Sequence, residues 1–187
     1  LLYEHSAAGV DPLAPDNCLI VASGAVTASS IWGSSRLGVF TKSPQTGIYT
    51  ESYAGGKVPE AVDATGYDAI VLTGQAATPT VLAVFPNRVV FHPADDLWGM
   101  ETYATEAAVV ERFAERETGF RRPGAMVIGP AAENGVRFAL IKNDRWRSAG
   151  RTGVGTVLGA KQVKAILFQG DRRRSLNDPE AVKALAK

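Results

Sequence analysis

Tyr67-Asp68-Ala69-Ile70-Val71-Leu72-Thr73-Gly74 and Val163-Lys164-Ala165-Ile166-Leu167-Phe168-Gln169-Gly170 share the pattern x-x-Ala-Ile-x-x-x-Gly. Each is a short apolar run closed by glycine and reads as a strand. Each follows a similar succession: a buried strand (Leu19 to Ala22; Ala125 to Ile128), a small-residue loop, an arginine and a glycine-rich segment. Two readings are open. Strands draw on few residue types, so the pattern can recur by chance. Alternatively the chain is duplicated, and its halves pack around a pseudo-twofold axis. In that case Arg36 and Arg151 are counterpart anion grips, and a cleft on the axis offers equivalent surfaces to a twofold ligand.

Around these two runs the punctuation predicts the remaining elements. Arg36 to Thr41 alternates like a strand, Ser43-Pro44-Gln45-Thr46-Gly47 turns it, and Ile48-Tyr49-Thr50 is a further strand. Gly55-Gly56 opens a weak helix running to Ala64 and ended by Gly66. Thr80 to Phe85 and Arg88 to His92 form a hairpin about Pro86-Asn87. Tyr103, Ala107, Val110 and Ala114 make the apolar stripe of a helix from Thr102 to Glu117, closed by Gly119. Ala125 to Ile128 and Val136 to Lys142 are strands flanking a loop at 129–135. Asp178 and Pro179 read as the N-cap and first turn of a helix continuing to Lys187. Trp32 and Trp98 are expected as packing anchors, and Arg172-Arg173-Arg174 as a solvated charge run. The fold class is α+β, with mixed sheets and few helices.

Composition narrows the function. A chain of 187 residues, 45% hydrophobic and 21% charged, suits one globular domain or a compact pair of halves. A net charge of +1 gives no reason to expect nucleic acid, and no apolar run is long enough to span a bilayer. With Cys18 as its one cysteine, the chain forms no internal disulfide and no cysteine-built metal site. Cys18 itself precedes Leu19-Ile20-Val21 and reads as a buried strand residue. The start at Leu1-Leu2-Tyr3 lacks an initiator Met and a signal peptide, so the sequence reads as a piece of something longer.

The stretch from Trp146 to Gly159 carries the chemistry. Arg145, Arg147 and Arg151 stand beside Gly150, Gly153, Gly155 and Gly159, ahead of a run able to start a helix. Small residues admit an anion to the backbone, helix-start N–H groups attract negative charge, and guanidinium forks grip phosphate. A dinucleotide loop at Gly153-x-Gly155-x-x-x-Gly159 is the competing enzyme reading. It needs a strand before, a helix after and an acidic residue about 20 positions on. A basic polar stretch precedes the loop instead, and Asp171 lies beside Arg172 to Arg174.

The chain resembles the N-terminal domain of the tungsten-containing aldehyde ferredoxin oxidoreductase family. The resemblance rests on Asp11-Pro12-Leu13-Ala14-Pro15-Asp16-Asn17, Thr41-Lys42-Ser43-Pro44-Gln45-Thr46-Gly47 and Gly66-Tyr67-Asp68-Ala69-Ile70-Val71. Leu97-Trp98-Gly99, Gly129-Pro130-Ala131-Ala132-Glu133-Asn134, Val136-Arg137-Phe138-Ala139 and Ala149-Gly150-Arg151-Thr152-Gly153-Val154-Gly155 extend it over nearly the whole chain. It implies an α+β base with internal pseudo-twofold symmetry, on which a tungsten (or molybdenum) bis-pyranopterin lies. By position it puts cofactor contacts at Arg36, at Tyr53, Ala54 and Gly55, and at Arg147, Ser148, Gly150 and Arg151. The metal is held by pterin dithiolenes, so no protein ligand or catalytic residue is expected here. Many relatives have asparagine at the place of Tyr53 and an alanine pair at Ser148-Ala149, which points to a reshaped pocket.

What the resemblance implies for function is oxidation of an aldehyde to a carboxylic acid, with electrons passed to ferredoxin in the cytoplasm. It allows a homodimer or additional electron-transfer subunits. The cysteines for a [4Fe-4S] cluster and the catalytic acid belong to the rest of a longer parent chain, so this stretch alone should not turn over aldehyde. Residues 1–171 are expected to form the cofactor-binding domain, truncated at its start, and 172–187 a linker and the start of the next, helical domain. The alternative is a non-catalytic scaffold paralogue that keeps the fold and has lost the cofactor.

Overall fold

The computed structural model describes residues 1–116 and 119–186. A single helical turn, α1 (Leu2–His5), leads into β1 (Leu19–Ser23), β2 (Arg36–Lys42), β3 (Tyr49–Gly55), α2 (Val58–Ala64) and β4 (Ala69–Leu72). The hairpin of β5 (Thr80–Phe85) and β6 (Arg88–Pro93) and the helix α3 (Thr102–Phe113) separate this half from the next. The order then recurs in β7 (Gly124–Val127), the one-turn α4 (Pro130–Glu133), β8 (Ile141–Asn143), β9 (Arg147–Ala149), α5 (Val154–Ala160) and β10 (Val163–Phe168). The last helix is α6 (Pro179–Leu185).

Strand pairing shows that the shared pattern reports a repeated topology. The first sheet runs β3-β2-β1-β4, antiparallel throughout. The second runs β6-β5-β10-β7-β8-β9, and its last four strands reproduce that order with the same antiparallel neighbours. Ala69 pairs with Ala22 and Ile70 with Val21; likewise Ala165 pairs with Val127 and Ile166 with Met126. Both helices, α2 and α5, have seven residues, so the agreement covers the crossover as well as the strands. The second half departs in its shorter β8 and β9, in carrying α4 between β7 and β8, and in adding the β5–β6 hairpin, joined in parallel through β5 to β10.

Period-two alternation divides the interior into two layers. Leu82, Val84, Met126, Ile128, Ile166 and Phe168 turn from the second sheet toward Leu19, Val21, Leu37 and Val39 of the first, with Val58, Val62, Val157 and Leu158 of the two helices between them. Val81, Ala83, Phe85, Val127 and Leu167 face the opposite way, against Leu97 and Val109 under α3. Burial of each such side chain contributes about 1.5–3 kcal/mol. Cys18 is buried as expected, and Trp98 packs against the first core.

Several expected elements are corrected. β3 continues from Thr50 through Gly55, because β2 pairs with it at every position from Arg36–Gly55 to Lys42–Tyr49. Of the strand expected over 136–142 only Ile141 and Lys142 are in β8, and α4 stands where a loop was expected. Upstream, the Val136 and Ala139 carbonyls accept from Thr156 Oγ1 and the Gly155 N–H, so this backbone serves the start of α5 rather than a ladder. The buried face of α3 is Thr105 and Val109, while Tyr103 and Ala107 are exposed; Thr105 Oγ1 satisfies itself on the Glu101 carbonyl. That helix ends at Phe113, and its expected end at Glu117 lies outside the described residues, as does Lys187. Trp32 is 96% exposed and anchors nothing. Arg174 is not merely solvated, since it pairs with Asp63 at 2.9 Å and Asp68 at 3.0 Å. Asp178 caps α6 as read, accepting from the Ala181 N–H.

Candidate functional site

The two sheets meet where their edge strands β3 and β9 run side by side. Thr50 and Ser52, on the inward side of β3, bond to Thr152 Oγ1 and to the Arg151 N–H, and Ser43 Oγ donates to the Thr152 carbonyl at 2.7 Å. At one end of this seam lies a groove of about 290 Å³, lined by Arg36, Gly55, Gly56, Glu60, Arg147 and the loop 29–35. Arg36 opens β2 directly opposite Gly55, and a methyl added to Gly55 would stand 2.7 Å from Arg36 Nη1. The guanidinium therefore lies over a bare backbone. Gly56 follows at φ +106°, a conformation that side chains rarely adopt, and its added Cβ would meet Asp144 and Arg147.

Charge and hydrogen bonding define what such a groove accepts. Among the described residues no carboxylate pairs with Arg36, Arg147 or Arg151. Glu60, the acid in the groove wall, is held by Lys57 at 3.4 Å. The cluster is thus cationic and open, which suits a phosphorylated ligand. On the outer face of β3, Tyr53 is 55% exposed and meets the edge of Phe40 with ring centroids 6.0 Å apart. Hydrogen bonding to Glu51 holds the Tyr53 phenol above the usual tyrosine range; for Tyr49, burial does so first and Glu51 second.

The expected site residues divide into three groups. Arg36, Gly55 and Arg147 converge on the groove, while Gly150 and Arg151 are exposed further along the same seam. Tyr53 stands on the neighbouring open face. Ala54 is buried in the core, so only its backbone is available, and Ser148 lies in register with Lys142 on the α3 side of its sheet. Arg36 and Arg151 are not counterparts by topology, because Arg36 begins a strand equivalent to β8 whereas Arg151 follows β9. The residues that sequence reasoning passed over are Gly56, Asn143 and Asp144. Asn-Asp ahead of a glycine–arginine stretch is turn chemistry, and that signal could have drawn attention to them.

The glycines at 153, 155 and 159 serve close packing of α5 rather than an anion cradle. Cβ atoms there would run into the carbonyls of Arg137, Leu140 and Ala132, so these glycines let α5 pack against backbone. Gly155 donates its N–H to Ala139 at 3.0 Å, which occupies part of the helix start expected to hold an anion. The dinucleotide reading fails on the same packing. Among the described residues there is no group of three or more His, Cys, Asp or Glu able to hold a metal, and no helix long and apolar enough to cross a membrane.

Fold and groove together define a class: an α+β base built from two topologically repeated halves, with arginines that have no ion pair among the described residues on the seam between them. Residues 1–170 match the family described as "Aldehyde ferredoxin oxidoreductase, N-terminal domain", and the chain belongs to that family. Over 180 residues it is 39% identical to the tungsten-containing aldehyde ferredoxin oxidoreductase of Thermococcus kodakarensis, with 96% of this chain and 29% of that protein covered. The protein of the same description from Pyrococcus furiosus is 38% identical, with the same coverage of 96% and 29%. Among solved structures, the active site complex BamBC of benzoyl coenzyme A reductase with 1,5-dienoyl-CoA superposes with a TM-score of 0.91 at 30% identity, covering 99% of this chain and 27% of that one. The chain thus spans under a third of the length of these relatives.

Proposed function

We propose that this chain is the tungstopterin-binding base of an oxidoreductase that converts aldehydes to carboxylic acids and passes the electrons to ferredoxin. One observation carries the proposal: Arg36 and Arg147, from different halves, line a single groove with Gly55 and Gly56 and have no acidic partner among the described residues. The fit to a phosphorylated pterin is chemical. Two guanidinium forks can bind phosphate oxygens while bare glycine backbone admits them closely. When bound, the metal–pterin group supplies the two-electron redox chemistry.

The chain's own part is to bind and orient. Arg36 and Arg147 offset the phosphate charge at one end of the seam, and Gly150 and Arg151 bind further along it. The exposed Tyr53 ring bounds the open face. Cys18 is buried and bonded to Ser6 Oγ at 3.1 Å, so the thiolates of a [4Fe-4S] cluster are assigned to other residues of the enzyme, together with the acid–base groups. Residues 172–187 are assigned to the lead into a further domain.

The test is metal and pterin content of the full-length enzyme, compared with its Arg36→Ala and Arg151→Ala variants after extensive dialysis. A buried guanidinium–phosphate contact is worth roughly 1.5–3 kcal/mol, so each variant should lose about one to two decades in cofactor affinity. Full retention by both variants refutes the arginine roles. A folded native enzyme without tungsten, molybdenum or pterin assigns the scaffold alternative, with the bulk of Tyr53 as its structural basis.

A further inference from the structure

We propose that Asn143 and Asp144, at the turn between β8 and β9, are positioning residues that set the width of the arginine groove by clamping one half of the domain to the other. The proposal rests on the groove being the phosphate-binding site. Arg36 belongs to the first half and Arg147 to the second, and neither is fixed by an ion pair among the described residues. Something else must hold the two guanidiniums at a set separation.

The clamp is visible in four hydrogen bonds. Asn143, fully buried, donates from Nδ2 to the Gly55 carbonyl at 2.9 Å and to Asp144 Oδ2 at 3.2 Å. Asp144 Oδ2 accepts from the Lys57 N–H at 2.6 Å and the Val58 N–H at 2.9 Å. An acidic side chain of the second half thereby caps α2 of the first, a short charge-assisted arrangement. These bonds fall on Gly55, Lys57 and Val58, on either side of Gly56, and Arg147 is three residues beyond Asp144. Side-chain-free Gly56 is what allows Asp144 to come so close, because a Cβ there would overlap its carboxylate. Asp144 and Arg145 both hold left-handed backbone, with φ 46° and 58°. Consecutive non-glycine residues in that region cost conformational energy, and the bonds made by Asp144 offset it.

Geometry and charge make opposite predictions. If Asp144 only added negative charge near the arginines, its removal would strengthen anion binding. As a clamp, its removal loosens the groove and weakens binding. The probe is inorganic pyrophosphate, titrated into the full cofactor-free chain, with the shift in thermal midpoint as readout and Arg36→Ala as reference. Wild type should be stabilised and Arg36→Ala much less so. Asp144→Ala should bind pyrophosphate about tenfold more weakly, the lower end of what the loss of a supporting contact costs. Asp144→Asn retains an acceptor for the two N–H groups and should recover most of the affinity. If Asp144→Ala does not fold, Asp144→Ser, too short to serve both N–H groups, replaces it with the same expected loss. Unchanged or tighter binding in the Ala or Ser variant, with Arg36→Ala still defective, overturns the clamp alone. No stabilisation of wild type by pyrophosphate overturns the groove reading and the clamp with it.

Discussion

Arg36 lies across Gly55, its pairing partner in the adjacent strand, with Nη1 2.7 Å from where a Cβ would stand. The register places a long cation over a residue without a side chain, so the exposed guanidinium lies directly against the sheet edge. Gly56 extends the bare surface toward Arg147. The geometry of this seam therefore depends on glycines as much as on arginines, and the glycines can be tested separately.

Gly56→Ala should lower the unfolding free energy by about 2–4 kcal/mol, from its φ of +106° and from overlap with Asp144. Gly150→Ala should stay within about 0.5 kcal/mol of wild type, since its added Cβ meets only Ser148 Oγ at 3.4 Å. Urea titrations of both variants make the comparison. A native midpoint for Gly56→Ala would show that the turn yields easily.

Lys164 and Glu133 form a buried ion pair, with side chains 0% and 3% exposed. Lys164 Nζ also donates to the Met100 carbonyl at 2.7 Å, and Glu133 Oε2 accepts from the Gly99 N–H at 2.8 Å. Lys164→Met leaves a buried carboxylate without its cation and should cost about 3–5 kcal/mol. Adding Glu133→Gln should restore more than half of that loss in the same denaturation experiment. Additive losses would mean that the two side chains are energetically independent.

Burial pushes the Glu106 carboxyl above its ordinary range of about 4.5, with Asp144 adding to the shift, and the Arg145 N–H, bonded at 2.9 Å, and Lys142 opposing it. The folded state then binds this proton more tightly than the unfolded state, so stability falls as pH rises through the interval above 4.5. Glu106→Gln keeps an acceptor for Arg145 and does not titrate. It should be more stable than wild type at neutral pH, and that advantage should disappear as the pH falls below 4.5. Thermal midpoints of both proteins across the acid range decide the matter; a difference independent of pH would remove Glu106 as its source.

The duplicated core was legible because β4 and β10 are both apolar runs closed by glycine, although only β10 is buried along its whole length while the edge strand β4 is half-buried. β3 is hard to read in full because its alternating Thr50, Ser52 and exposed Tyr49, Glu51 and Tyr53 carry no apolar stripe; its inward hydroxyls are satisfied by Thr152 and Arg151, just past β9 and far away in the chain. Val136, Phe138 and Leu140 alternate as a strand would, yet the carbonyls around them are committed to α5, and no local pattern announces that. The arginines of the groove could be suspected from residue type alone. Asn143 and Asp144 could not be matched to Gly55 and Lys57, because those partners lie 88 and 87 positions away.

The seam also fixes an order of events. Ser43 and Thr152, bonded across it, are 109 positions apart, and the groove at its end takes one wall from each half. A nascent chain that has emerged only through the first half can form β1 to β4 but has no second wall, however well that half folds. If the groove holds the proposed ligand, its capture waits for synthesis of Arg147, at about 5–20 residues per second, and for closure of a long loop. On the proposed function, a loaded groove would report that both halves are finished and docked.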